Sequence, residues 1–253
     1  MANLEREDSR VHQEAVRLNK YLALAGVGSR RKNDELILSG AVKVNGKVVQ
    51  ELGVKIKPLK DRVTVNGSPV EVHQKSYYIL FNKPKDCITT LSDERGRTTV
   101  MDYVRMKERI YPIGRLDRNT VGVLLLTNDG DLANGLMHPK GEIERIYRVR
   151  LERGMLDDDL KKIKKGIRLE DGLAKPHQVA VIPGTRRTEL IVSLMEGKNR
   201  EVRRIFEALH YDVKSLERVA FAGLTTEGVP RGKWRFLSRP EITYLKEQAG
   251  LPT

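Results

Sequence analysis

The dipeptide Asn-Gly occurs at 45–46 and again at 66–67, each time between short runs that alternate apolar and polar residues. Asn and Gly tolerate the left-handed backbone that two-residue turns require, so this is the strongest short-range hairpin signal a sequence carries. Ala41-Val42-Lys43-Val44 and Lys47-Val48-Val49 flank the first turn. Arg62-Val63-Thr64-Val65 and Pro69-Val70-Glu71-Val72 flank the second. Ahead of them Leu18, Tyr21, Leu22 and Ala25 follow helical spacing, with Gly26 and Gly28 punctuating the end. Ser29 is a predicted N-cap for a second helix, which opens with Arg30-Arg31-Lys32 and ends at Gly40. Residues 17–75 therefore read as a compact module, two helices braced by a small sheet. Residues 1–16 show little apolar periodicity and read as a disordered tail.

Charge separates the same segments. Residues 17–75 hold twelve Lys and Arg against five acids, a net of +7. Residues 76–253 carry 33 against 25, a net of +8 over three times the length. The tail is −2, and the 253-residue chain sums to +13. Such an excess points to a polyanionic partner. No apolar run approaches the roughly 18 residues of a membrane span, so nucleic acid leads over a membrane surface. The single cysteine, Cys87, rules out a disulfide framework and a cysteine-based zinc site within the chain. With no apolar signal-peptide core in the first residues, this suits the cytoplasm.

Residues 76–250 read as a second domain. YYILFN and GVLLLT read as buried strands, LDDDLKKIKKGI as an exposed helix, and VRRIFEALHY as a helix with Val202, Ile205, Phe206 and Leu209 on one face. RIYRVRL, TELIVSL and KWRFL are further strand-like runs. The mixture predicts an α+β fold with a mainly antiparallel mixed sheet. There is no Walker phosphate loop, no G-x-G-x-x-G after a strand and no H-E-x-x-H, and the five His are scattered. ATP-driven chemistry, hydride transfer and a metal site lose support, and no cofactor is expected.

Three segments carry candidate chemistry. In Gly114-Arg115-Leu116-Asp117-Arg118-Asn119-Thr120-Val121-Gly122, an acid stands between two arginines just before a buried strand. It is either a structural ion pair at a loop or a carboxylate held ionised for chemistry. Tyr147 lies in an alternating strand with basic neighbours, as an ordinary cross-strand aromatic or as a stacking platform for a base, a contact of roughly 1–3 kcal/mol. Glu196-Gly197-Lys198-Asn199-Arg200-Glu201-Val202-Arg203-Arg204 is a glycine turn leading into an arginine-rich helix start.

RLNKYLALAGVGSRRKNDELILSGAVKVNGKVV resembles the small RNA-binding domain first described in ribosomal protein S-four, also called the alpha-L motif, from Arg17 to about Val65. The resemblance implies that Arg17, Lys20, Ser29, Arg30, Arg31 and Lys32 face RNA. Further along, LFNKPKDCITT at 80–90, RIYPIGRLDRNTVGVLLLTNDGDLANGLMHP at 109–139, ERIYRV at 144–149, EGKNREVRRIF at 196–206 and RVAFAGLTTEGVPRGKWR at 218–235 together resemble the RsuA/RluB/RluF-type pseudouridine synthases. That family joins the same two parts and isomerises uridine in RNA without a cofactor.

The resemblance implies that Asp117 is the catalytic carboxylate, attacking C1′ or removing the 2′ proton. It implies that Tyr147 stacks on the flipped base, that Arg203 pairs with a buried Asp117, and that Val202 packs near the base. Arg115 would fill the gap left by the flipped nucleotide, and Arg118, Lys198 and Arg200 would contact RNA. The chain departs from several relatives in carrying Arg200-Glu201 where they carry His-Gln. Within the group the text is most similar to the RluB-type enzymes of the large ribosomal subunit, so the expected partner is a structured stem-loop of ribosomal RNA, bound by a monomer. Small-subunit enzymes of the RsuA type, or a non-catalytic RNA-binding assembly factor, are the alternatives.

Overall fold

A computed structural model describes residues 15–72, 75–138 and 141–253. The chain forms two compact units that meet in sequence at Lys75 and Ser76. Of the expected tail, residues 1–14 lie outside the described residues.

The first unit begins with β1 (Val16–Arg17), followed by α1 (Leu18–Leu24), α2 (Arg30–Leu38), β2 (Val42–Val44), β3 (Lys47–Val48), β4 (Lys55–Ile56), β5 (Val63–Val65) and β6 (Ser68–Val70). The order in its four-stranded sheet is β3-β2-β5-β6. Both Asn-Gly turns take the expected backbone: φ is 52° and 81° at Asn45 and Gly46, and 49° and 83° at Asn66 and Gly67. Ser29 caps α2 through Oγ, which accepts the Lys32 N–H at 3.2 Å. Leu18, Leu22, Ile37, Val42 and Val63 close a core beneath. Val16 corrects the tail boundary, because it pairs with Ile56 across β1 and β4. A two-residue strand has no periodicity to show, and only its distant partner makes it visible.

The second unit contains β7 (Tyr78–Lys83), α3 (Val100–Tyr103), β8 (Tyr111–Pro112), β9 (Thr120–Thr127), α4 (Gly130–Met137), β10 (Arg145–Leu151), α5 (Asp157–Lys165), β11 (Ile167–Leu169), β12 (Gly172–Ala174), β13 (Gln178–Val181), β14 (Glu189–Leu194), α6 (Glu201–Glu207), β15 (Val213–Phe221), β16 (Leu224–Thr225), β17 (Trp234–Phe236) and α7 (Arg239–Gln248). Its main sheet runs β13-β14-β10-β15-β9-β7-β17, with β16 beside β15 and β8 beside β9. Among the described residues the pairings are antiparallel except β9 with β15. The fold is the α+β arrangement with a mainly antiparallel mixed sheet.

Period-two alternation divides the central strands between two cores. Leu80, Val123 and Leu125 face one, with Leu132, Leu136 and Leu245 from α4 and α7. Ile79, Phe81, Leu124 and Leu126 face the other. A third core gathers Val149, Leu190, Val192, Ile205, Phe206 and Leu216, joining β10, β14, β15 and α6. Each fully buried large apolar side chain contributes about 1.5–3 kcal/mol, so these three clusters hold the sheet in place. The helix expected to reach Leu209 stops at Glu207, because Leu209 and Tyr211 both donate to the Phe206 carbonyl and His210 turns to φ 60° to enter β15. Leu251 packs against the α4–α7 core, just past the boundary expected at 250.

Candidate active site

Asp117 sits on the loop between β8 and β9, and this loop is tied down on several sides. Lys83, at the end of β7, is fully buried. Its Nζ donates to the carbonyls of Pro84, Asp117, Arg118 and Thr120 at 2.8–3.2 Å. Burial lowers its pKa to about 8. Thr89 Oγ1 donates to the Leu116 carbonyl and accepts the Leu116 N–H. The Thr120 N–H returns to the Asp117 carbonyl at 3.0 Å. Beyond the loop, Gly122 has φ 106°, and a Cβ there would stand 2.1 Å from the Arg218 carbonyl oxygen. Glycine is thus required where β9 approaches β15.

A small, open cleft of about 60 Å³ lies beside this loop. Arg115, Leu116, Asp117 and Thr120 line it from the loop, Tyr147 and Leu216 from the sheet, and Leu194 with residues 196–198 and 200–202 supply the rest. Val202 and Leu216 are buried and apolar, whereas the opposite side is charged. The arrangement offers a carboxylate, an aromatic side chain and cations at one open cleft.

The α6 turn brings two arginines to the carboxylate. Arg203 Nε lies 4.0 Å from Asp117 Oδ2, and an Arg200 terminal nitrogen lies 3.9 Å from the same oxygen. Arg203 is itself fixed by donation to the Val213 carbonyl at 3.0 Å. Arg200 has φ 48°, a left-handed residue immediately before α6. Asp117 was expected to be buried. Its side chain is instead 37% exposed, because it stands at the mouth of the cleft on a loop whose backbone, not its side chain, is held inside.

The other expected residues are placed as follows. Asp117, Tyr147, Arg115, Val202, Lys198 and Arg200 line the one cleft, and Arg203 reaches it through Asp117. Arg118 does not join the cleft lining; it pairs with Asp86 at 3.1 Å on the surface. Lys198 Nζ turns to Glu196 and the Leu173 carbonyl. In the first unit Arg17, Arg30, Arg31 and Lys32 are exposed and Lys20 is half-buried. Ser29 spends its hydroxyl oxygen on the helix cap.

Sequence reasoning did not single out Lys83 or Arg218. Arg218 stands opposite Tyr147 across β10 and β15. It is almost fully buried and donates Nε–H to the Val123 carbonyl, with its guanidinium 4.6 Å from the centre of the Phe221 ring. Burial lowers its pKa and the Tyr147 phenol opposes that shift. A lysine or arginine inside an otherwise apolar strand was the available signal, since such a charge is buried only with partners.

Residues 77–208 match the family model for RNA pseudouridylate synthases, and residues 16–58 match that for the S4 domain. The chain is 44% identical over 237 residues to the ribosomal large subunit pseudouridine synthase B of Bacillus subtilis (strain 168), covering 92% of this chain and 96% of that protein. It is 42% identical over 239 residues to a protein of Aquifex aeolicus (strain VF5) described as an uncharacterized RNA pseudouridine synthase, covering 93% and 96%. A crystal structure of a pseudouridylate synthase superimposes with a TM-score of 0.67 at 26% identity, over 91% of this chain and 99% of that one. The chain belongs to the RNA pseudouridylate synthase family. It is an RNA pseudouridine synthase, an isomerase that breaks the N1–C1′ bond of uridine and joins C5 to C1′.

Proposed function

We propose that the enzyme modifies one uridine in a structured stem-loop of large-subunit ribosomal RNA, acting as a monomer in the cytoplasm. The observation that carries the assignment of its chemistry is that the Asp117 carboxylate shares one cleft with the Tyr147 ring and lies 4.0 Å from Arg203 Nε. The curated relative from Bacillus subtilis, matched along nearly its whole length, supports the large subunit as the source of substrate.

In this reading Asp117 acts on the ribose at the C1′–C2′ edge, and Arg203 orients it. Tyr147 stacks on the uracil, and Val202 packs against its edge. The uridine must leave the helix to reach them, which costs a few kcal/mol. Arg115, exposed at the rim, replaces the lost stacking. Phosphate contacts from Arg17, Lys20 and Arg30–Lys32 supply binding energy away from the reacting atoms, with Arg118, Lys198 and Arg200 contributing near them. Net atoms are conserved: C5 gives up its proton when it bonds to C1′, and N1 gains one.

The test is pseudouridine mapping on transcribed large- and small-subunit ribosomal RNA with the native chain and Asp117→Ala. The expected result is one modified position in the large-subunit RNA, lost in the variant while RNA binding is kept. Product on neither RNA, or on the small-subunit RNA alone, overturns the proposal.

A further inference from the structure

Glu201, the first residue of α6, is 3% exposed, yet only one of its carboxylate oxygens is satisfied. Oε2 accepts the Lys198 N–H at 3.1 Å, whereas Oε1 is buried with no hydrogen-bond donor. The group beside it is a second carboxylate, Glu196, positioned for a side-chain hydrogen bond with it. Both line the cleft that holds Asp117. Two carboxylates cannot hydrogen-bond to each other without a proton, and of this pair Glu201 is the buried one, whereas Glu196 is 41% exposed and paired with Lys198.

We propose that Glu196 and Glu201 share one proton, and that this acid pair is a positioning clamp on the turn that carries Arg200 and Arg203 to Asp117. The proposal rests on the reading of the Asp117 cleft as the catalytic site. A shared proton gives Oε1 its missing partner and closes the turn from Glu196 to Glu201 into a ring. Arg200, in left-handed backbone one residue earlier, and Arg203, two residues later, are held by that ring.

The charged groups around the pair come from every side. Lys198 Nζ donates to Glu196 at 3.0 Å from within the turn. Arg145 from β10 and Arg204 from α6 itself both interact with Glu201. Arg145 donates to the Ile143 and Met195 carbonyls, and the two terminal nitrogens of Arg204 pair with Asp171, leaving Arg204 Nε buried without a partner. None of these cations donates a hydrogen bond to the second Glu201 oxygen. Burial first, and Glu196 second, push Glu201 up to about 7. Below that pH the pair holds its proton. Above it the proton passes to solvent, two carboxylates repel, and the turn loosens.

The test is the initial rate of tritium release from RNA carrying 5-tritiated uridine, measured with the full-length chain between about pH 6 and about pH 8.5. The native enzyme is expected to lose at least about threefold in kcat/KM across that range as the pair ionises. Glu201→Gln keeps the shape, donates an amide N–H to Glu196 at every pH, and is expected to change by less than about 1.5-fold. Glu196→Gln removes the repelling charge and is expected to flatten the fall in the same way. Superimposable profiles of the native chain and Glu201→Gln overturn the proposal. If Glu201→Gln does not fold by circular dichroism, Glu196→Gln decides, and a profile identical to the native one overturns the clamp. Product formation by Asp117→Asn would instead sink the reading of the cleft, leaving a result distinct from either.

Discussion

Arg203 Nε stands 4.0 Å from Asp117 Oδ2, beyond direct hydrogen-bond reach, while the same guanidinium donates to the Val213 carbonyl at 3.0 Å. The pair thus joins the loop before β9 to the helix before β15, and Arg203 is braced from behind rather than by its partner. Charges at this distance interact by about 1 kcal/mol in water and about 4 kcal/mol near a protein surface. Arg203→Gln is expected to lower kcat by about 10–100-fold, corresponding to roughly 1.4–2.8 kcal/mol. Single-turnover kinetics check this, and an unchanged kcat would show that Asp117 needs no such partner.

Lys83 gathers the carbonyls of Asp117, Arg118 and Thr120, together with that of its neighbour Pro84. Lys83→Met leaves those acceptors without their shared donor and is expected to cost about 3 kcal/mol, read by urea denaturation. Activity should fall further than stability accounts for, because the backbone under Asp117 is released.

Gly122 combines a left-handed φ with backbone contact against Arg218. Gly122→Ala is expected to destabilise the chain by at least about 3 kcal/mol through clash and strain together. Thermal unfolding measures it; a loss under about 1 kcal/mol would mean that β9 can move away from β15 at little cost.

Glu241 caps α7 and binds Arg235 through two short contacts. The Arg235 guanidinium, with help from Ser238, lowers its pKa to about 2 from 4.5. The folded pKa is depressed, so this stabilisation is present above pH 4.5 and is lost as pH falls toward 2. After allowing for solvent screening at a partly exposed pair, about 1–2 kcal/mol is at stake. Acid unfolding of Glu241→Gln should show a shallower loss over that window than the native chain.

In the first unit, Arg30, Arg31 and Lys32 present three exposed charges in the opening turn of α2. Replacing all three with Ala should raise KM for a long ribosomal RNA fragment by about tenfold, leave kcat within about twofold, and reduce the salt slope of binding by about 3. Filter binding at several salt concentrations tests this, and an unchanged slope would remove this face from the RNA contact.

Much of this molecule is legible along the chain because its signals are local. The Asn-Gly turns, the Ser29 cap and the alternation in YYILFN and GVLLLT each depend on neighbouring residues, so backbone sterics and side-chain period decide them before any tertiary contact forms. The family resemblance implied Asp117, Tyr147 and Arg203 in one candidate site; the fold brings Asp117 and Tyr147 to one cleft, with Arg203 behind Asp117. What no local pattern contains is the partner of a buried group. Lys83 meets carbonyls more than thirty residues away, Arg218 meets Tyr147 only through strand register, and Val16 becomes a strand only against Ile56. The exposure of Asp117 and the missing donor at Glu201 are likewise set by which segments pack around them. Sequence determined the elements and the chemistry available; tertiary structure decided desolvation and charge pairing, because both depend on distances that close only when the sheet assembles.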